Sequence, residues 1–221
     1  MKRYDTVLFD LDGTLTDPGV GITKSVEYAL NRYGITVPDR AVLYPFIGPP
    51  LVESFAKYYG MDEAQSRRAL AEYRVYFSRQ GMFENAVYPQ TVWLLQSLKA
   101  AGKRLVLATS KPEEYAAQIL RHFDLYRYFD VVAGASMDEV RNKKSDVIAY
   151  ALQKAGVEEH SRAVMVGDRE HDVNGAHANG LCAVGVLWGY GDRAELEAAG
   201  AAHIVCDMRE LSRLLLCEVG V

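Results

Sequence analysis

At 221 residues the chain is long enough for one core plus an inserted module, and folding can bury about 70% of the surface of the extended chain. With 49% hydrophobic and 24% charged residues, and no apolar run near the ~20 residues that span a bilayer, the composition excludes disorder, a collagen-like chain and a membrane span. Twenty-five Lys+Arg against 29 Asp+Glu leave a net charge of −4, which provides no basic field for a nucleic-acid polymer.

Residues 1–10 reach an acidic side chain after too few apolar residues for a secretory signal, so the expected compartment is the cytoplasm. The first strand is predicted over Thr6 to Phe9. Between about 16 and 83 the strand signal gives way to helical spacing. Ile22, Val26, Leu30 and Tyr33 repeat at three or four residues before Gly34. A second helix is predicted from Pro50 through Leu51 and Phe55 to Gly60. A third begins at an Asp62-to-Gln65 capping box and carries Leu70, Tyr73 and Phe77. The aromatic residues Tyr58, Tyr59, Tyr73, Tyr76 and Phe77 are read as packing within this insertion. The stretch from Tyr44 to Pro50 reads as a stiff turn.

After Glu84 the pattern alternates. Helix signals, such as Pro89 through Leu98 to Gly102, separate apolar runs at Arg104 to Ala108, Phe129 to Ala133, Ala163 to Val166, Ala183 to Leu187 and His203 to Val205. Asp192 with Glu195, and Asp207 with Glu210, have capping-box spacing. The predicted class is therefore α/β: a Rossmann-like parallel-sheet core of residues 1–15 and 84–221, with an inserted α-helical domain of residues 16–83. Cys182, Cys206 and Cys217 form no CxxC pair and read as buried reduced thiols. The histidines, scattered in sequence, are expected to bind no metal.

The first strand ends in Asp10-Leu11-Asp12-Gly13-Thr14. Alternation across a strand sends Asp10 and Asp12 to the same side, and two carboxylates there call for a cation, for which Mg²⁺ suits an oxygen-rich phosphate site. Three later segments add groups at strand ends. The run through Val166 delivers Gly167 and Asp168, with Asp172 one helical turn on; Leu105 to Ala108 delivers Thr109 and Ser110; and Arg141-Asn142-Lys143-Lys144 supplies ammonium groups before a helix from Asp146 to Leu152. Parallel strands bring all of these to one rim.

This ordered set resembles the haloacid dehalogenase superfamily of phosphohydrolases, and specifically its phosphoglycolate phosphatase-like and 5′-nucleotidase-like branch with a helical insertion after the first motif. The resemblance implies a phosphatase for small phosphomonoesters that works through an aspartyl-phosphate: Asp10 as nucleophile, Asp12 as proton shuttle, and Thr109 and Lys144 completing the catalytic set. It also implies Mg²⁺ held by Asp10, the Asp12 carbonyl, Asp168 and Asp172. Leu11, Gly13, Thr109, Ser110 and Lys144 would bind phosphate, with Gly48 and Pro49 of the insertion meeting the substrate and the segment Phe46 to Leu51 facing it. The third motif lacks the usual Lys-Pro, so Lys143 stands as the alternative to Lys144. Thr14 favours a phosphatase over a sugar phosphomutase, which stays open, as does a non-catalytic phosphate or Mg²⁺ sensor. The expected partner is a small phosphate ester, with a monomer as the default and a homodimer open.

Overall fold

The computed structural model describes residues 4–138 and 140–216. In chain order its elements are β1 (Thr6–Phe9), β2 (Thr16–Asp17), α1 (Gly19–Asn31), α2 (Leu51–Tyr59), α3 (Glu63–Arg79), β3 (Ala86–Val87), α4 (Thr91–Ala100), β4 (Arg104–Pro112), α5 (Glu113–His122), β5 (Val131–Ala135), α6 (Lys144–Ala155), β6 (Ala163–Gly167), α7 (Glu170–Ala178), β7 (Cys182–Val186), α8 (Arg193–Ala198), β8 (His203–Val205) and α9 (Met208–Leu216). The chain divides into two compact units: residues 1–16 with 87–221, and residues 17–86. The return crossing thus falls at Ala86–Val87 rather than at Glu84. Among the described residues no helix is long and apolar enough to cross a membrane.

The first unit is built on a six-stranded sheet of order β5-β4-β1-β6-β7-β8, with every adjacent pair parallel. Parallel strands joined by helical crossovers are covered on both faces, which is why they read as continuous apolar runs. Val7, Leu8 and Phe9 of β1, Leu105 to Ala108 of β4 and Ala163 to Val166 of β6 are all fully buried. Strand order reverses at β1, whose neighbours β4 and β6 lead away in opposite directions, and ligands of open α/β sheets bind beyond the carboxyl ends at such a reversal. Asp10 N–H donates to Val166 O at 2.9 Å, so Asp10 is fixed by the ladder at this point.

The outer edge of β5 is plugged by side chains. Lys154 Nζ donates to Val132 O at 2.9 Å, Arg141 Nε donates to Gly134 O at 3.0 Å, and Gly134 N–H donates to Glu113 Oε2 at 3.3 Å. β4 runs to Pro112, four residues past its expected end, and β5 begins at Val131 rather than Phe129.

In the second unit, α1 buries Ile22, Val26, Ala29 and Leu30. α3 starts at the expected capping box, with Gln65 N–H donating to Asp62 Oδ1 at 2.7 Å and Asp62 N–H donating to Gln65 Oε1 at 3.0 Å. The segment Arg40–Phe46 is a 3-10 helix. Phe46 packs edge-on against Phe55 at a ring separation of 5.2 Å, and Tyr73 stacks on Phe77 at 5.2 Å. Phe46 and Ile47 are buried, only 2% and 1% exposed. Two further expectations hold only in part. Cys206 is exposed and Cys182 half-buried, both free, while Cys217 lies outside the described residues. Of the box at Asp192 one half forms, Glu195 N–H donating to Asp192 Oδ1 at 2.8 Å, while the Glu195 carboxylate turns to Arg169.

Candidate functional site

The ends of β1, β4 and β6 and the starts of α6 and α7 bring together Asp10, Asp12, Thr109, Lys144, Asp168 and Asp172. Asp168 and Asp172 are each 1% exposed and Asp10 is 6% exposed, an arrangement that unpaired carboxylates do not tolerate. Among the described residues they form the one group of potential metal ligands whose oxygens lie within 4.8 Å of one another. No histidine belongs to it; burial simply lowers the pKa of His171.

Lys144 sits inside the group. Its Nζ lies 2.9 Å from Asp10 Oδ1 and 2.7 Å from Asp172 Oδ1, and it donates to Ala108 O at 3.0 Å. Burial works against its charge, but Asp10 and Asp172 overcome that and raise its pKa. Lys143 is exposed and precedes α6, so the structure brings Lys144 to Asp10 and leaves Lys143 outside. One ammonium does not balance three carboxylates. Burial first, then Asp172 and Asp10, hold the Asp168 carboxyl well above its ordinary range, and burial pushes Asp172 up to about 6 against the pull of Lys144. Asp168 Oδ2 accepts Tyr190 N–H at 2.7 Å, whereas its Oδ1 is buried without a hydrogen-bond partner. An orphaned buried carboxylate oxygen in an all-oxygen donor set is what a hard divalent cation would satisfy.

Glycines make the space. A Cβ at Gly13, whose φ is +80°, would lie 2.1 Å from Asp168 Oδ2; one at Gly167 would lie 2.2 Å from Asp172 Oδ2; one at Gly189 would lie 2.4 Å from Asp168 Oδ2. Gly13 therefore serves by its missing side chain. Its amide donates to Thr16 O at 2.8 Å, and Leu11 O accepts the amides of Leu15 and Thr16. Thr109 is buried and its Oγ1 accepts Lys111 N–H at 3.2 Å, which leaves the hydroxyl proton to donate elsewhere. Ser110 beside it is half-buried. Gly48 and Pro49 belong to the helical unit, in the half-buried turn before α2.

Three features escaped the sequence reading. Lys111, buried, forms an ion pair with Asp12 at 2.7 Å. Burial raises the Asp12 carboxyl, and Lys111 pulls it the other way. The turn after β7 ties the two acidic segments together: Trp188 Nε1 donates to Thr14 O at 3.0 Å and Tyr190 N–H holds Asp168. Its signal was available, since Trp188-Gly189-Tyr190-Gly191 is a glycine-spaced turn at the end of a buried strand. Arg169 is bonded to Glu195 at 2.8 Å, and the same Glu195 oxygen accepts Glu170 N–H, bracing the start of α7.

Comparison with known proteins agrees with this geometry. A family model described as haloacid dehalogenase-like hydrolase matches residues 7–186. A 5′-nucleotidase of Pseudomonas aeruginosa is 44% identical over 214 residues, covering 96% of each chain. Tyrosine-protein kinase PtkA of Mycobacterium tuberculosis is 42% identical over 92% of this chain and 71% of its own. The crystal structure of a predicted phosphatase from Clostridium acetobutylicum superposes with a TM-score of 0.94 at 49% identity, covering 97% of this chain and 99% of that one. The chain belongs to the haloacid dehalogenase-like hydrolases and is a phosphatase of that family.

Proposed function

We propose that the protein hydrolyses small phosphomonoesters, nucleoside monophosphates among them, with Mg²⁺ as its cofactor. The observation that carries this reading is the pair of carboxylates at the end of β1, one inside the acidic cluster and one held apart from it. Asp10, Asp168 and Asp172 with the Asp12 carbonyl are the residues that would hold the ion, which when bound neutralises charge on the phosphoryl group.

The chain's own groups account for the rest. Lys144 fixes Asp10 through Oδ1, so that Oδ2 is presented as the nucleophile. Attack on phosphorus forms an aspartyl-phosphate and breaks the ester P–O bond, and Asp12 gives its proton to the departing alkoxide. Asp12 then accepts a proton from the water that attacks the same phosphorus, which releases inorganic phosphate, frees the Asp10 carboxylate and returns Asp12 to its protonated form. The Thr109 hydroxyl and the Lys144 ammonium hold phosphoryl oxygens in both steps.

The test is phosphate release from p-nitrophenyl phosphate, with and without Mg²⁺, by the native protein and by Asp10→Asn. The expected result is Mg²⁺-dependent release that vanishes in the variant. Release into water alone, with no acceptor added, separates hydrolysis from phosphoryl transfer to a protein. No release from this ester or from a panel of natural esters would overturn the reading in favour of a mutase or a sensor.

A further inference from the structure

β4 and β5 stay in register from Val106 opposite Val131 to Thr109 opposite Gly134, and then resume at Pro112 opposite Ala135. Ser110 and Lys111 therefore bulge from the ladder at the carboxyl end of the strand. Bulges re-aim side chains beside active sites. This one depends on Gly134, where a Cβ would lie 2.6 Å from the Lys111 carbonyl oxygen and 2.7 Å from Glu113 Cα. The outcome is a buried ammonium that contacts both oxygens of one carboxylate: Lys111 Nζ lies 2.8 Å from Asp12 Oδ1 and 2.7 Å from Oδ2, with the two side chains 5% and 11% exposed. Lys144 meanwhile serves Asp10 and Asp172. Two buried lysines thus sort the carboxylates into a metal-side group and a lone Asp12.

We infer that Lys111 is a positioning residue for proton transfer by Asp12: carried in by the bulge, it holds that carboxylate away from the acidic cluster and directed at the ester oxygen of the leaving group. This rests on the reading of Asp12 as the proton carrier. Without Lys111, the remaining buried ammonium of this site is Lys144, and Asp12 would be drawn toward the nucleophile's own partner. Positioning of a general acid matters only where the leaving group needs a proton. An alkoxide needs one; p-nitrophenolate departs without it.

The experiment compares kcat/KM for ethyl phosphate and p-nitrophenyl phosphate in the native protein, Lys111→Met, Lys111→Arg and Asp12→Asn, with circular dichroism to confirm each fold. Lys111→Met is expected to lose about 100-fold or more on ethyl phosphate, the scale of general-acid catalysis, and at least about tenfold less on the aryl ester. Lys111→Arg, which keeps the charge and shifts its head group, should recover part of the alkyl-ester rate while still favouring the aryl ester. Equal losses on both esters, or no loss on either, would overturn the proposal. Should Lys111→Met fail to fold, the arginine variant decides by the same ratio. If Asp12→Asn itself shows no discrimination between the esters, the reading of Asp12 is wrong; if it discriminates and the Lys111 variants do not, only the role of Lys111 falls.

Discussion

Replacing Asp168 with asparagine keeps the side chain's shape inside its glycine cradle and deletes one charge from a crowded group. The ligand oxygens of Asp10, Asp168 and Asp172 lie within 4.8 Å of one another. At an effective dielectric constant near 20, each fully charged pair at that distance repels by about 3.5 kcal/mol. Lys144 offsets roughly one of the two neighbours that face Asp168, and proton uptake by the crowded carboxyls removes part of the remainder. The net relief on substitution is therefore about 1–3 kcal/mol at mildly alkaline pH. Asparagine retains a carbonyl oxygen for Tyr190 N–H, so little is lost in return. With the divalent ion chelated, the variant should melt higher than the native protein by roughly 2–10 °C for a chain of this size. Added Mg²⁺ should reverse the order: the native protein gains about 2.7 kcal/mol when the ion is at a hundred times its dissociation constant, and the variant gains far less. Calorimetry in chelator and in excess Mg²⁺ measures both. A lower melting temperature for Asp168→Asn in chelator, or equal responses of the two proteins to Mg²⁺, would refute the view that these carboxylates are held in mutual repulsion for a cation.

Lys144→Met removes the partner of two buried carboxylates and is expected to destabilise the fold by about 3–5 kcal/mol and to lower kcat/KM for p-nitrophenyl phosphate at least about 100-fold; Lys143→Met, at an exposed position, should change neither, as urea unfolding and steady-state kinetics would show. Gly189→Ala forces a methyl group to within 2.4 Å of Asp168 Oδ2 and of Gly13 O. It should cost about 1–3 kcal/mol and raise the Mg²⁺ concentration needed for half-maximal activity, read from a metal titration of the rate.

The sheet was readable because parallel strands buried on both faces leave apolar runs, and β1 lies over Thr6–Phe9, where its run places it. Lys144 was readable with more care. Lys144, Val147, Ile148 and Ala151 share the buried face of α6, whereas Lys143 is the exposed residue that caps its start. Lys111 was not readable, since its direction depends on a bulge, and a bulge is set by the register of β4 against β5 and by the space at Gly134, both tertiary facts. Glu195 misled for a related reason: its spacing suits a capping box, but a nearby guanidinium and a second helix start compete for the same carboxylate and win.

A parallel sheet must end somewhere, and its last strand ordinarily presents a row of amides and carbonyls that another chain could extend. On β5 that row is spoken for by Lys154, Arg141 and Glu113. An incoming strand would have to displace two cations and an anion that are already mutually paired, Lys154 with Glu113 at 2.9 Å and Arg141 with Glu113 at 4.0 Å. Charged plugs of this kind act as a guard against templated growth. The same three side chains that look like ordinary surface ion pairs thus keep one sheet from becoming the seed of a larger one when the protein is abundant.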